Sequence, residues 1–331
     1  MKFLIIRFSS IGDIVLTTPV IRCLKEQLPG AEVHYITRPQ FKTILENNPY
    51  IDKLHFLTDW KTTTAQLKHE KFDFIIDLHN NIRTLRLKTT LFGVTSFSFN
   101  KLNIQKWLLT AFKINVLPKI HIVDRYLDTL NFFEVKNDGK GLDYFIPSQS
   151  VVSYSDLPVS HMHGFIAIVI GAAHNTKKLP VDKLVELCKL IDHPIVVLGG
   201  KEDAEEGKAI AETDAIKIYN ACGKFSLNES ADLLQKSVLI ISHDTGLMHI
   251  AAALKKPIIS VWGNTIPGFG MTPYYGNFNA LQSLYEVENL PCRPCSKIGY
   301  KKCPRKHFKC MQLQNTKNIA ATVTTFLKQI K

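Results

Sequence analysis

The chain has 331 residues, 45% of them apolar and 21% charged, the balance of an ordinary soluble protein with length enough for two domains. Lys and Arg outnumber Asp and Glu by 41 to 29, a formal charge of +12 that favours an acidic partner: nucleic acid, an anionic membrane surface or a phosphorylated substrate. No apolar run is long enough to span a membrane and residues 1–7 are too short for a signal peptide, so a cytoplasmic location is the expectation.

Apolar runs alternate with helical patterns from the start, which predicts parallel sheets with crossover helices. Residues 3–8 read as the first strand, followed by Ser9-Ser10-Ile11-Gly12-Asp13 and one helix to about Gln27. Strands at 33–36, 53–57, 72–76 and 94–99 alternate with helices at about 40–46 and from 60 to 69. Two more helices are expected at about 104–112 and 124–132. Between 135 and 163 the composition shifts to Asn, Gly, Pro, Ser and Asp without periodicity, which places an inter-domain connection there. The boundary is set at 155, giving domains 1–155 and 156–315 and a terminal helix in 316–331.

In the second half, strands at 165–170, 194–198, 216–219, 238–241 and 257–262 alternate with helices at 181–190, 202–212 and 227–235, and a last helix runs from 316 to 330. The run Val238-Leu239-Ile240-Ile241 feeds into Ser242-His243-Asp244-Thr245-Gly246-Leu247-Met248-His249, a strand turning abruptly into a helix. Asp244 or Thr245 is a natural N-cap, and Gly246 lets another group approach the backbone closely. Leu247, Ile250, Ala251 and Leu254 are expected as the buried stripe, leaving Thr245 and His249 on the opposite face. Such a helix start offers unpaired N–H groups and about half a positive charge to an anion.

Sites in parallel sheets lie beyond the carboxyl ends of strands. That rule collects residues 9–13 and 77–81 in the first half, and 171–178, 199–203, 244–249 and 263–265 in the second. Asp13 is either a helix N-terminal charge or a general base reaching a cleft. Lys177 and Lys178 are either solvated loop lysines or point charges for a phosphate. His79, Asn80 and Asn81 end a strand with hydrogen-bonding side chains, and Arg83 follows them. Neither a three-glycine dinucleotide fingerprint nor a Walker A motif is present. Of seven cysteines, four form Cys292-x2-Cys295-x7-Cys303-x6-Cys310, a spacing open to reduced, packed thiols or to a structural zinc.

The combination of Ser9-Ser10-Ile11-Gly12-Asp13, Lys177-Lys178-Leu179-Pro180 and Asp244-Thr245-Gly246-Leu247-Met248-His249 resembles glycosyltransferase family 9, the ADP-heptose:lipopolysaccharide heptosyltransferases. The resemblance implies an α/β GT-B fold, two Rossmann-like domains facing a central cleft. The N-terminal domain would bind the acceptor and the C-terminal one the nucleotide-sugar, and domain closure would exclude water from the donor. The terminal helix would pack back on the N-terminal domain.

It further implies inverting transfer without a catalytic metal. Asp13 then matches the general base, and Ser10, Gly12, His79, Asn80 and Arg83 lie on the acceptor side. Lys177, Asp244, Thr245, Gly246 and His249 match the donor diphosphate and sugar site. Phe225 falls against the adenine, and Asp203 of the 199–203 turn is the acidic residue placed to reach the ribose. Leu179 stands where many members have Trp.

The partners so implied are an ADP-heptose-like donor and a lipopolysaccharide core acceptor, with no cofactor required, no nucleic acid, and peripheral association with the inner face of the cytoplasmic membrane. Two other readings stand beside this one: a nucleotide-sugar epimerase or phosphorylase of the same fold, and a basic, zinc-clustered nucleic-acid-binding protein. The dispersal of the basic residues without an interleaved aromatic stripe weighs against the last.

Overall fold

A strand such as Phe3-Leu4-Ile5-Ile6, apolar on both faces, needs cover on both sides, and helices packed on a parallel sheet supply it. The structure is a computed structural model that describes residues 1–280 and 282–329. In chain order the first elements are β1 (Lys2–Ile6), α1 (Ile11–Val15), α2 (Thr18–Gln27), β2 (Glu32–Thr37), α3 (Lys42–Leu45) and β3 (Lys53–Phe56). They continue with α4 (Trp60–Glu70), β4 (Phe74–Asp77), α5 (Ile82–Thr90), β5 (Thr95–Ser98), α6 (Asn103–Phe112) and α7 (Ile122–Leu127). The one helix expected up to Gln27 is two, because Pro19, with no N–H to donate, opens the first turn of α2.

The second series is β6 (Ile166–Val169), α8 (Val181–Leu190), β7 (Ile195–Leu198), α9 (Ala204–Ala211), β8 (Ile218–Asn220), α10 (Leu227–Lys236) and β9 (Leu239–His243). It ends with α11 (Gly246–Ala253), β10 (Ile258–Trp262), β11 (Gln282–Glu286), α12 (Lys309–Gln312) and α13 (Thr316–Gln329). The expected end of α13 at Ile330 lies outside the described residues. Strand β11 was not expected from sequence; it pairs in parallel with β10, Ile258 opposite Gln282.

Two parallel sheets result, with strand orders β3-β2-β1-β4-β5 and β11-β10-β9-β6-β7-β8. Each winds outward in both directions from a central pair, β1 beside β4 and β6 beside β9, as in a Rossmann-like domain. In the first unit Leu4, Ile6, Ile36 and Ile75 of the sheet pack against Leu67 and Leu87 of the helices. In the second, Ile168, Val197, Ile241 and Ile259 meet Leu184, Leu187, Ile319 and Val323.

The contacts divide the chain into residues 1–102, 119–145 and 274–278 in one unit, and 103–118, 146–273 and 279–331 in the other. The long crossing falls at Phe145–Ile146 rather than at 155. Two clamps account for it. Arg22 of α2, almost fully buried, holds Asp138, Asp143 and the Gly141 carbonyl (2.8 Å), so that stretch belongs to the first unit. Asp232 and Lys236 of α10 hold the Val152 N–H (2.9 Å) and carbonyl (2.7 Å) in the second. Helix α13 packs beside α8, with Thr316 donating to Glu186 at 2.6 Å, and so helps to cover the second unit. Its apolar residues Ile319 and Val323 complete the second core.

Arg22→Ala removes the one guanidinium that Asp138 and Asp143 share. Stripping one side of a buried ionic cluster costs about 3–5 kcal/mol, so this variant is expected to melt well below the parent; an unchanged thermal midpoint would contradict the clamp.

Candidate functional site

In doubly wound sheets the functional crevice opens where strand order reverses. In the first unit that point lies between β1 and β4, whose following loops carry Arg7 to Asp13 and Leu78 to Asn81. The Arg7 guanidinium joins them, donating to the Leu78 carbonyl (2.6 Å), the Ser9 carbonyl (2.7 Å) and the Tyr126 hydroxyl (3.0 Å). Its remaining nitrogen ion-pairs with Asp13 Oδ1 at 2.7 Å. Asp13 Oδ2 accepts from the Ser10 hydroxyl (2.8 Å) and the Ser10 N–H (3.2 Å), a capping arrangement at the start of α1. Burial alone would raise the Asp13 pKa, but the Arg7 charge and the Ser10 donors reverse this and hold it below the ordinary carboxylate range. Asp13 is therefore an ionised carboxylate with one side chain edge open to solvent.

His79 lies against Phe8 (5.4 Å between rings); burial, then Arg7 and Lys101, pull its pKa down to about 4, so the ring is neutral. Its Nδ1 is buried and makes no hydrogen bond among the described residues. Asn80 has a left-handed backbone (φ 46°), and its side-chain amide donates to the Phe99 carbonyl at 2.9 Å instead of reaching outward. Gly12 is buried inside α1, and Arg83 is exposed on α5. The structure thus gathers Asp13, Ser10 and His79 around Arg7, whereas the Asn80 amide is spent within its own loop.

The second unit reverses between β6 and β9. The loop after β6 ends in a single 3-10 turn at Asn175–Lys177, and the β9 loop is Asp244-Thr245. They are locked together: Lys177 Nζ pairs with Asp244 Oδ2 at 2.6 Å, and Thr265, just past β10, donates its hydroxyl to the same oxygen at 2.9 Å. Thr245 is the extended N-cap of α11 and Gly246 its first residue, yet the Thr245 hydroxyl caps nothing. That hydroxyl oxygen and both amide atoms of Asn264 are buried without a hydrogen-bond partner among the described residues. Each such orphan costs on the order of 1–3 kcal/mol, and their concentration beside one ion pair at a helix start marks a place shaped for a polar ligand. The strand-end rule collects Asn264 with residues 263–265, but its full burial without a partner is not a property of sequence.

Other expectations change. His249 and Thr245 do share a face of α11, but His249 is buried and Leu247 is partly exposed. The helix is apolar nearly all round because it lies over the middle of the sheet, so the Leu247 stripe has no special status. Asp203 is only 2% exposed, with one oxygen on Lys178 (2.6 Å) and the other accepting the Gly200 N–H (2.8 Å), so its carboxylate is consumed inside the turn. Glu202 beside it is the exposed acid. Burial lowers the Lys178 pKa, but Asp203 and Glu206 raise it further, so Lys178 is a fixed structural cation. Phe225 is half-buried in the loop between β8 and α10. His243, pulled to about 3 mainly by burial, accepts the N–H of the buried Leu179 at 2.9 Å.

The four clustered cysteines are free thiols; Cys310 is buried and the others are half-buried, with Cys292 Sγ 3.9 Å from His307 Nε2. Burial raises the Cys295 pKa, and Cys292 and Cys303 add to it, so the thiols are gathered in one region. Among the described residues, however, only His34, His55 and Glu70 form a group of three potential metal ligands within 4.8 Å of one another. There Glu70 is already neutralised by Lys2 and Lys53. The cysteine loop has a second job. Arg293 donates to the Gly263 carbonyl and, at 3.0 Å, to the Thr265 carbonyl, while Tyr300 bonds Thr176 at 2.8 Å. Both halves of the Lys177–Asp244 pair are braced from behind by this loop.

Ser10→Ala deletes one charge-assisted donor from Asp13. Such a bond contributes roughly 1.5–3 kcal/mol, so the Asp13 carboxyl titration, followed by carbon NMR, should move up by about one to two pH units; an unmoved titration would show that the hydroxyl plays no part, leaving Arg7 and the Ser10 N–H to set it.

Comparison with known proteins fits this geometry. Residues 60–301 match the profile of glycosyltransferase family 9 (heptosyltransferase). The lipopolysaccharide heptosyltransferase 1 of Campylobacter coli is 28% identical over 302 residues, 84% of this chain and 86% of the relative. Among solved structures, the ADP-heptose LPS heptosyltransferase II of E. coli superposes with a TM-score of 0.74 at 19% identity, covering 99% of both chains. A glycosyl transferase family 9 protein from Veillonella parvula gives 0.70 at 24% identity over 85% of this chain and 86% of its own. With its two Rossmann-like units of the GT-B class, the chain belongs to glycosyltransferase family 9, the heptosyltransferase family of lipopolysaccharide core biosynthesis.

Proposed function

We propose that this glycosyltransferase moves a heptose from ADP-heptose to a lipopolysaccharide inner-core acceptor with inversion at the sugar carbon, using Asp13 as general base and no catalytic metal. The observation that carries the reading is the ion pair of Lys177 and Asp244 at the reversal point of the second sheet, beside the α11 N-terminus and the orphaned Thr245 and Asn264 groups.

The chemistry follows from charge. As the bond from the sugar carbon to the diphosphate oxygen breaks, its electron pair stays with the departing ADP, so negative charge grows there. Lys177 carries three N–H donors, and one can remain on Asp244 while the others face the diphosphate. The first N–H groups of α11 add a fixed positive potential, which requires no reorganisation at the moment of reaction. Together they supply what a divalent ion provides in other phosphate sites.

On the acceptor side, the proton must leave the attacking hydroxyl. Asp13 is ionised throughout the neutral range, so it is always ready to accept a proton. Its depressed pKa makes it too weak to strip a resting alcohol. Transfer to Oδ therefore accompanies formation of the new carbon–oxygen bond, when the hydroxyl has become acidic. Arg7 then steadies the carboxylate's position, and the neutral His79 beside it adds no second positive charge.

Asp13→Ala is expected to retain ADP affinity by calorimetry and to lose turnover by roughly 10²–10⁴-fold, the usual worth of a general base. Lys177→Ala should show the opposite pattern, with ADP affinity falling first. Retained turnover in the former, or unchanged ADP affinity in the latter, overturns the respective role. Replacing divalent ions with EDTA in the assay should leave the transfer rate unchanged; a loss restored by Mg²⁺ would refute the metal-free reading.

A further inference from the structure

From Leu78 to Val123 the sequence runs for 46 residues without one Asp or Glu, while carrying seven Lys and Arg. The part of this stretch that belongs to the second unit, residues 103–118, is unusual in what it exposes. Helix α6 has one fully buried side chain, Leu109. Ile104 (72% exposed) and Trp107 (54%) stand outward one turn apart, and the partly exposed Leu108 and the exposed Ala111 continue that stripe. A surface helix of a soluble protein turns such a stripe inward. The chain after the helix has no regular structure up to Pro118, and Phe112, Ile114 and Val116, at alternate positions, are each more than half exposed. Trp107 and Phe112 pack edge to face at 5.0 Å, a paired aromatic projection. Lys106 and Lys113 lie among these residues; Lys113 is tied back to the Pro294 carbonyl at 2.7 Å, so its charge stays at the base of the projection.

We propose that residues 103–118 form an interfacial anchor that inserts shallowly into an anionic lipid bilayer. Exposed apolar side chains alone would fit any hydrophobic partner. The absence of carboxylates along the whole stretch, with lysines at its base, selects a negatively charged surface, and indole and phenyl rings with flanking lysines suit the headgroup boundary. The depth is limited by the backbone: residues 115–118 form no helix or strand that would satisfy their main-chain groups, and irregular backbone cannot enter hydrocarbon, so the segment lies in the interface. No described helix is long and apolar enough to cross a membrane. The inference goes beyond the proposed transfer and does not depend on it, since it concerns where the enzyme resides.

The test is co-sedimentation of the full chain with vesicles of phosphatidylethanolamine and phosphatidylglycerol, against vesicles of phosphatidylcholine alone. Binding is expected to the anionic vesicles, to weaken as salt rises, and to be accompanied by a blue shift of tryptophan emission. The triple variant Trp107→Ser, Phe112→Ser, Ile114→Ser changes only exposed side chains; it should keep the parent's ADP affinity and lose vesicle binding by roughly tenfold or more. Equal binding to neutral vesicles, or equal binding by the triple variant, overturns the proposal. So does concentration-dependent self-association without lipid that the variant abolishes, which would assign the face to a second copy of this chain. Loss of ADP affinity in the parent would instead count against the transfer reading and leave this one standing.

Discussion

The contact on which the rest of the second unit turns is the 2.6 Å pairing of Lys177 with Asp244. It joins the two loops that leave adjacent strands β6 and β9, alongside the hydrogen bond from the Leu179 N–H to His243. An ion pair this sheltered contributes little net stability, since desolvation offsets its attraction. Its value is positional. Thr265 locks the carboxylate from a third loop, and the cysteine segment braces that loop and the lysine's own through Arg293 and Tyr300. The result is an ammonium group held in place before any substrate arrives.

The first unit solves the same problem with the same chemistry and the opposite outcome. Arg7 and Asp13 also pair at a point of strand reversal, and Arg7 also ties the two flanking loops together. There the cation is the buried, fully committed partner and the carboxylate is the one with an open edge. In the second unit it is the lysine whose remaining donors are available. Two similar scaffolds have thus been finished with an open carboxylate edge in one and an ammonium with donors to spare in the other.

Sequence reading recovered the parts governed by periodicity and by strand ends. Runs such as Phe3 to Ile6 and Leu239 to Ile241 are apolar throughout and could only be buried strands, and the rule that sites follow strands pointed to Asp13, Lys177 and Asp244, which the structure holds in ion pairs at the two points of strand reversal. It failed where packing decided. Gln282–Glu286, Gln-Ser-Leu-Tyr-Glu, lies at a sheet edge and shows neither an apolar run nor a polar–apolar alternation, so nothing in its sequence marks a strand. His249 was put on an open face because a two-sided helix was assumed, and α11 is enclosed on nearly every side. Asp203 had the right chemistry for a ribose, but the neighbouring Lys178 folds onto it. The orphaned Asn264 amide shows the same limit from the other direction, since only a folded chain can leave a group buried and unanswered.

The polypeptide passes between its two units five times, after Leu102, Pro118, Phe145, Pro273 and Phe278. The short return at 274–278 is woven into the first unit: Tyr274 donates to Asp124 at 2.9 Å, the Asn277 N–H reaches the Gly139 carbonyl at 2.7 Å, and Gly276, with φ +63°, sits where a Cβ would strike that carbonyl. An amino-terminal lobe emerging from the ribosome therefore lacks one of its own pieces until most of the other lobe has been synthesised. Its maturation waits until Phe278 has been made, and no single cut yields two complete lobes.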